Sequence, residues 1–549
     1  MTHKNVLLKG LLVGGISAAG IVALFYLGGL LVGLPFVPFD IFDWMARNFP
    51  GSIISFFIDN MVRVIHALNI GPTASTAKLT EQLIAILQFL VVGCIFGLAV
   101  AGLGLRYPNR IPRIGWVGGA ILLAAMLLIE TLFGFPQIGP VVSGLWMAIL
   151  LLGWGWLLGR WTQIELAPDL PEQNSSVQNN SRRKFLAWIG ASSLSLFLVA
   201  LGVSRLKQTD QAAIAADSTP ASGTPLIPNT DSAGVGPTSG PAASPSQNVL
   251  AARFAPAQGT RSELTPTRQF YRIDINANTP STDPQAWRLK LDGMVSTPLS
   301  LTLDQVRAYP SQSQVITLSC ISNEVGGDLI STGLWTGVPL KTLLTAAGLK
   351  PGAAFFNIKS FDNFYESLAL AEAMDERTLL VYDMNGAPLS PEHGFPLRIY
   401  IPNHFGMKQP KWVEHIQVSD KSGSGFWVDR GWSPTAFVQT TSVIDSVAIG
   451  NKDPSTQTVP VGGIAYSGSR GISRVEVQVD NGPWQTAQLR VPSLSPLTWV
   501  QWRYDYLYQP GRHFFHVRAY DGDGKLQITD INPTLPSGAT GMHTLSADL

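Results

Sequence analysis

The side chains with the clearest capacity for chemistry lie in the second half of the chain. Cys320 ends the run Gln314-Val-Ile-Thr-Leu-Ser-Cys320, whose composition predicts a strand, and Ile321-Ser322-Asn323-Glu324 continues it as a loop. A strand-end position presents a thiol to a cleft. The only other cysteine, Cys94, sits in an apolar run, so the two are not expected to pair, and no Cys or His stands near Cys320 at zinc spacing. By itself a lone cysteine is ordinarily a packing residue, which is also the simplest reading of Cys94. Farther on, His393, Arg398, Lys408 and Lys411 collect four cationic side chains in a short stretch. Each alone reads as a solvated charge; together they call for an anion such as a phosphate.

The elements that must position these groups are short and β-rich. From Trp287 the chain shows runs such as Trp287-Arg-Leu-Lys-Leu-Asp-Gly293, broken by Gly and Pro and mixed with short helices. From about 440 the pattern alternates, as in Val475-Glu-Val477-Gln-Val479, turns at Asp480-Asn-Gly482, and repeats with Phe514, Val517 and Asp521-Gly-Asp-Gly524. This predicts a β-sandwich of immunoglobulin-like type. His513, His516 and His543 within it are too scattered for a metal site.

The first 205 residues form a different class of structure. Apolar segments near 7–33, 82–104, 114–133, 140–158 and 185–203 approach or exceed the roughly 20 residues that cross a bilayer as a helix. The segment 52–70 is instead amphipathic, with Ile53, Phe57, Met61, Val64 and Leu68 opposite Asp59, Arg63 and His66, and is expected along an interface or against the bundle. Five spans place Lys4, Lys9, Arg106, Arg110, Arg113, Arg160 and Arg182-Arg183-Lys184 on the cytoplasmic side and everything after Val203 outside. Ser181-Arg182-Arg183-Lys184-Phe185-Leu186 resembles a twin-arginine export motif, and Ala213-Ile214-Ala215 has the form of a peptidase site, although the anchor is expected to remain. Gly29 and Gly33 predict close helix packing, and Glu130 a carboxylate snorkelling near the end of its span. With His3 and His66 alone in this half, paired haem ligands are not expected.

Between the halves, residues 207–262 are dominated by Ala, Ser, Thr, Pro and Gly. That composition predicts a disordered linker spanning on the order of 40 Å. The domains are therefore drawn as 1–205, 206–262, 263–438 and 439–549. The net charge of +1 over 549 residues, with no basic run or stacking platform, sets nucleic acid aside as a partner.

Four blocks carry a resemblance. Thr317-Leu-Ser-Cys320-Ile-Ser-Asn323, Leu334-Trp335-Thr-Gly337-Val338-Pro-Leu340, His393-Gly394-Phe395-Pro396-Leu-Arg398 and Lys408-Gln-Pro-Lys411-Trp412 keep the order seen in the sulfite oxidase family, over about 265 to 549. The resemblance implies a molybdenum enzyme with an α+β molybdopterin domain and an immunoglobulin-like dimerisation domain; the apolar spans and the export motif add that it is exported and anchored by a membrane helical bundle. Cys320 matches the family's protein ligand to molybdenum, a role that suits a soft thiolate. His393, Arg398, Lys408 and Lys411 look like the cationic cradle of the pterin phosphate, with Gly394 and Gly406 allowing close approach. Tyr271, Arg272, Ser360 and Asp362 occupy places where relatives touch the pterin.

Departures bear on the substrate. Glu324 stands where animal sulfite oxidases have arginine, and Ile273-Asp274-Ile275 falls where they have Arg-Asn-His. A carboxylate there would repel sulfite, so Glu324 is a candidate catalytic residue for another small substrate. Trp335 reads as core or as pocket wall. The resemblance implies two-electron oxygen-atom transfer with a separate electron carrier such as a cytochrome. The competing reading is a non-catalytic, membrane-tethered scaffold that binds partners through its sandwich.

Overall fold

The computed structural model describes residues 3–68, 71–133, 139–166, scattered positions between 187 and 195, and 254–549 apart from 452, 454 and 456. The chain divides into two compact units, one of residues 1–45 with 81–244, the other of 46–80 with 245–549. The twin-arginine-like motif, Ala213-Ile214-Ala215, most of the fifth expected span and the linker up to residue 253 lie outside the described residues.

Four helices among the described residues are long and apolar enough to cross a membrane: His3–Val32, Thr73–Arg106, one spanning Pro108–Leu132, and Pro140–Glu165. In the first unit they pack around Phe25, Phe89, Met147 and Trp154, with the Trp154 indole donating to Ser17 Oγ at 2.8 Å. Glycine permits the closest approaches. A Cβ on Gly14 would lie 2.1 Å from the Gly93 carbonyl oxygen, and one on Gly115 would lie 2.4 Å from that of Gly155. Gly29 and Gly33 do not share this role: they lie at the end of their helix, where Gly33 adopts φ 76° and donates to the Gly29 carbonyl. Spacing alone does not show which small-residue pair meets another helix. Cys94 packs, its sulfur lying against Gly15. Glu130 is buried with its carboxyl facing Asp40, so it does not snorkel to an interface.

Helix Gly51–Leu68 belongs to the second unit. Its Val62 and Ile65 are buried, whereas Ile53, Phe57, Val64 and Leu68 of the predicted apolar stripe remain exposed beside Phe56. Gly51 packs against the backbone of Arg430, where any side chain would collide.

The rest of the second unit is α+β. One sheet runs in the order 299–301, 289–293, 413–419, 355–360, 365–369, with a parallel pairing between 289–293 and 413–419. The second is built on strands 312–319, 330–339 and 379–384. Leu289, Leu291, Phe356, Ile416 and the helix Leu340–Ala347 share one core.

After Val438 come two four-stranded antiparallel sheets enclosing Val461, Trp502, Val475, Val477, Phe515 and Val517. Phe515 fills the interior and Phe514 is exposed, because residues two apart share a face and Val517 fixes the odd positions inside. The sandwich shares a further cluster with the preceding domain, where Ile321, Phe405 and Met407 meet Ile464, Tyr466 and Trp499. Ordered packing also begins before residue 263: Ala257 is buried, and Arg261 pairs with Asp445 at 2.7 Å. Neither partner is apparent in a composition rich in small residues.

Candidate active site

Cys320 follows strand Gln312–Ser319, and its amide donates to the Leu329 carbonyl at 2.9 Å. The thiol is nearly buried, lies 3.1 Å from Ser322 Oγ, and is pushed up in pKa by that burial. The loop beyond it turns at Glu324–Gly327, where Gly326 has φ 86° and lies against the imidazole of His543. A residue of the last strand of the sandwich thus backs the cysteine loop. Glu324 is half-buried in the same turn.

Tyr271 links the thiol to the cations. Its phenol is buried, and its pKa is driven well above the ordinary value by that burial and by the neighbouring Cys320, with Arg398 opposing. Gly406 leaves room for it: a Cβ there would lie 2.9 Å from the phenol oxygen. Arg398 lies beneath, its guanidinium 4.9 Å from the centre of the Trp335 ring and donating to the His393 carbonyl at 3.2 Å. Burial lowers Arg398 to about 10, still charged at neutral pH. Trp335 is both core and wall, since it packs edge-on against Phe270 while carrying Arg398.

A second group of charges centres on Asp274. Its carboxylate receives Arg272 Nε at 2.9 Å, Lys411 Nζ at 3.1 Å and Lys78 Nζ at 3.3 Å. Those cations overcome its burial and hold it well below the usual carboxylate range. Lys411 also donates to the Glu392 carbonyl at 3.0 Å and lies 4.4 Å over the Trp412 ring. Burial lowers it to about 8. Trp412 has φ 56°, a costly conformation for a bulky side chain, fixed by its indole donating to the Pro391 carbonyl. Gly394 makes this crossing feasible: it has φ 108°, and a Cβ would lie 3.1 Å from the Cβ atoms of both Arg398 and Lys411.

The sequence-predicted cations do not all converge. His393 is neutral in the protein itself, because burial and then Arg398 and Lys411 lower it to about 4; its Nε2–H donates to the Thr267 carbonyl at 3.3 Å. Lys408 is buried against Glu366 at 2.7 Å. Asp362 accepts from Asn276 Nδ2 at 2.8 Å and is raised to about 6 by burial. The Ser360 hydroxyl and the Trp335 indole N–H are buried with no hydrogen-bond partner among the described residues.

Sequence reasoning missed Asp274 as a hub, Asn276, Glu366, and the contribution of Arg47 and Lys78. Arg272 and Asp274 alternate in an extended segment, which places them on one face and was a usable signal. Nothing local marks Lys78, which lies 196 residues from Asp274.

A thiol at a strand end beside a buried collection of cations, with glycines at the close approaches, fits a phosphate-bearing cofactor with a soft metal. The buried Ser360 hydroxyl and Trp335 N–H supply donors of the kind such a group takes up. These are features that a molybdopterin-binding oxidoreductase requires. Residues 276–427 match the family described as oxidoreductase molybdopterin binding domain. The mitochondrial sulfite oxidase of Rattus norvegicus is 31% identical over 301 residues, covering 47% of this chain and 55% of that protein. The uncharacterized oxidoreductase YuiH of Bacillus subtilis is 31% identical over 150 residues, covering 27% of this chain and 74% of that protein. The putative protein-methionine-sulfoxide reductase subunit YedZ1 of Azospira oryzae is 32% identical over 151 residues, covering 28% and 56%. The chain belongs to the sulfite oxidase family, is an enzyme of that family, and takes a molybdenum cofactor. It spans about half the length of the mitochondrial sulfite oxidases it matches.

Proposed function

We propose that this chain is a membrane-anchored oxidoreductase facing the cell exterior, which transfers an oxygen atom to or from a small substrate in a two-electron reaction and exchanges electrons with a separate carrier such as a cytochrome. The carrying observation is the buried run from Cys320 through Tyr271 to Arg398, with the Asp274 cation cluster nearby. When bound, the cofactor supplies oxygen-atom exchange coupled to a two-electron change at the metal. Cys320 is its protein ligand and must lose its proton to serve. Arg272, Lys411 and Arg398 hold the anionic end, His393 contributes as a neutral ring, and Ser360 and Asp362 line the pterin. Tyr271 keeps its proton beside Cys320. Lys408, already paired with Glu366, acts through that pair.

Glu324 carries the substrate reading. A carboxylate in the cysteine loop disfavours the sulfite dianion, and an uncharged S-oxide or N-oxide fits better. The name of the Azospira relative includes a methionine-sulfoxide reductase, consistent with that choice.

Parity supports this sidedness: residues 46–80, between the first two candidate spans, belong to the same compact unit as the catalytic domain, and we assign both to one side of the membrane. Three candidate spans lie between Thr80 and Glu165, and the sequence reading of 185–203 as a further span returns the chain to the starting side. Arg106, Arg110, Arg113 and Arg160 fall on the opposite side, the cytoplasmic one by the charge rule. The apolar face of Gly51–Leu68 suits the membrane surface. We further assign the C-terminal sandwich to the immunoglobulin-like type, pairing two copies of the chain.

The decisive test is metal content together with turnover. Full-length protein from a cofactor-competent host should hold molybdenum and show an electron paramagnetic resonance signal of the +5 state with thiolate ligation. Cys320→Ser should abolish turnover while the domain stays folded. Molybdenum below about a tenth of an equivalent overturns the proposal. With artificial donors and acceptors, an S-oxide or N-oxide should be turned over faster than sulfite.

A further inference from the structure

Helix Gly51–Leu68 is apolar on two opposed faces. Val62 and Ile65, at 4% and 3% exposure, are buried on the side from which Gly51 meets the backbone of Arg430. Ile53, Phe56, Phe57, Val64 and Leu68 are between 42% and 66% exposed. At about 100° per residue they fall within roughly a third of the helix circumference, turned away from Val62 and Ile65. Asn60, which stands within this stripe, folds its amide back to the Phe56 carbonyl at 2.6 Å, and Arg63 is exposed at the edge. The segment carrying the helix is fixed to the catalytic domain by ordinary polar contacts. The Thr73 amide donates to Asp328 Oδ2 at 2.8 Å, Arg430 donates to the Arg47 carbonyl at 2.7 Å, and Lys78 pairs with Asp274 at 3.3 Å, all within one compact unit. The outer stripe takes no part in them.

We propose that this stripe is a lipid-docking surface, lying in the boundary between headgroups and acyl chains and holding the catalytic unit against the bilayer. The inference rests on the membrane-anchored reading and deepens it by naming the partner of the unit's outer face. Five large apolar side chains in one uncovered stripe are more than the scattered apolar residues of an ordinary surface. Their place in the chain selects lipid as the occupant. The helix stands between the candidate spans His3–Val32 and Thr73–Arg106. Leu68 lies five residues before Thr73, a reach of at most about 18 Å. Helix Thr73–Arg106 has 34 residues, where about 20 cross a bilayer. Its first turns therefore stand at or above headgroup level, the height at which an interfacial helix lies. Bilayer is thus supplied to the stripe through the covalent chain, at an effective concentration that a separate protein does not match. Arg63 can extend its stem from the edge of the stripe to the headgroup phosphates. The catalytic unit is then held at the membrane surface by segment 46–80, independently of residues 207–253.

The test uses the full chain with its cofactor in nanodiscs of phosphatidylcholine that carries a photoactivatable diazirine near the headgroup end of one acyl chain. After illumination, lipid adducts are mapped by mass spectrometry. They are expected on Ile53, Phe56, Phe57, Val64 and Leu68 as well as on Pro140–Glu165, and not on Ile531, which is 89% exposed in the C-terminal domain. Phe56→Asp combined with Phe57→Asp should lower the yield on 51–68 roughly ten-fold relative to that on Pro140–Glu165, the burial of one Phe side chain being enough for that factor. Both positions are exposed, so the melting temperature should not change. Adducts on Pro140–Glu165 with none on 51–68, equal yields on 51–68 and Ile531, or an unchanged yield in the double variant each overturn the proposal and leave membrane anchoring standing. No adducts on any candidate span overturn both. Cross-links from 51–68 to a second, isotope-labelled copy of the chain in place of lipid assign the stripe to a dimer contact and overturn the proposal.

Discussion

Lys408 Nζ and Glu366 Oε1 stand 2.7 Å apart with both side chains withdrawn from water. Glu366 fits there because Gly425 has no side chain; a Cβ would lie 2.3 Å from the Glu366 carboxylate. Burial raises the Glu366 pKa, and the Lys408 ammonium opposes that rise. Removing the negative partner leaves a buried ammonium without its counter-charge, which costs about 3–5 kcal/mol. Glu366→Gln should therefore lower the free energy of unfolding, read from denaturant titration, by that amount. A loss below about 1 kcal/mol would mean that Lys408 finds another anion.

Gly394 combines a left-handed backbone with contact to two cationic side chains. Gly394→Ala should destabilise the catalytic unit by about 1–3 kcal/mol and loosen the cofactor, because any yielding moves Arg398 or Lys411. Molybdenum content and melting temperature of the purified variant check this. Unchanged values for both would show that the crossing tolerates a methyl group.

His393 gives a pH signature in cofactor-free protein. Its folded pKa of about 4 lies below the ordinary 6.5. As pH falls, the unfolded chain takes up the proton first, so the contribution is whole above 6.5 and is lost between 6.5 and 4. The shift corresponds to at most about 3 kcal/mol. Wild-type protein should lose more stability over that interval than His393→Gln. Parallel pH profiles for the two would contradict a neutral buried ring.

Gly406 and Tyr271 should behave as a coupled pair. A methyl at 406 meets the phenol oxygen, so Gly406→Ala should displace Tyr271 and reduce turnover, while Tyr271→Phe reduces it by removing the hydroxyl. The double variant should lose less than the sum of the two singles, by roughly 0.5–3 kcal/mol of coupling. Strict additivity in turnover would show that the two act separately.

In the first unit, Gly14→Val would place side-chain carbon against the Gly93 carbonyl, where even a Cβ comes within 2.1 Å. The helices must separate, losing the close packing that holds them together within a membrane. The melting temperature in detergent should fall, and more than for Gly29→Val, whose nearest neighbour is 3.2 Å away.

Much of the local architecture was legible because periodicity is a local property. Four apolar runs became long helices, the Asp480-Asn-Gly482 turn formed with Gly482 donating to Val479, and the strand before Cys320 ended where its composition changed. Where the reading failed, the deciding factor was a partner. Gly29 and Gly33 have the spacing of a packing pair, but the facing glycines stand at 10, 14, 93 and 97. Phe514 and Phe515 are adjacent and equally apolar, and only the sheet register selects the one inside.

The sequence by itself determined the class of chain: apolar helices, a cofactor domain with a cysteine at a strand end, cations in order behind it, and a β-rich tail. Side-chain type and short-range spacing suffice for these because hydrophobic periodicity and thiolate chemistry belong to the residues themselves. Only the tertiary structure decided the charge states and the company of those residues. It neutralised His393 by burial, gave Lys408 to Glu366, and brought Lys78 to Asp274 and Arg47 to Asn276. Electrostatic energy depends on distance and on exclusion of water, and neither is written in the order of residues along a chain.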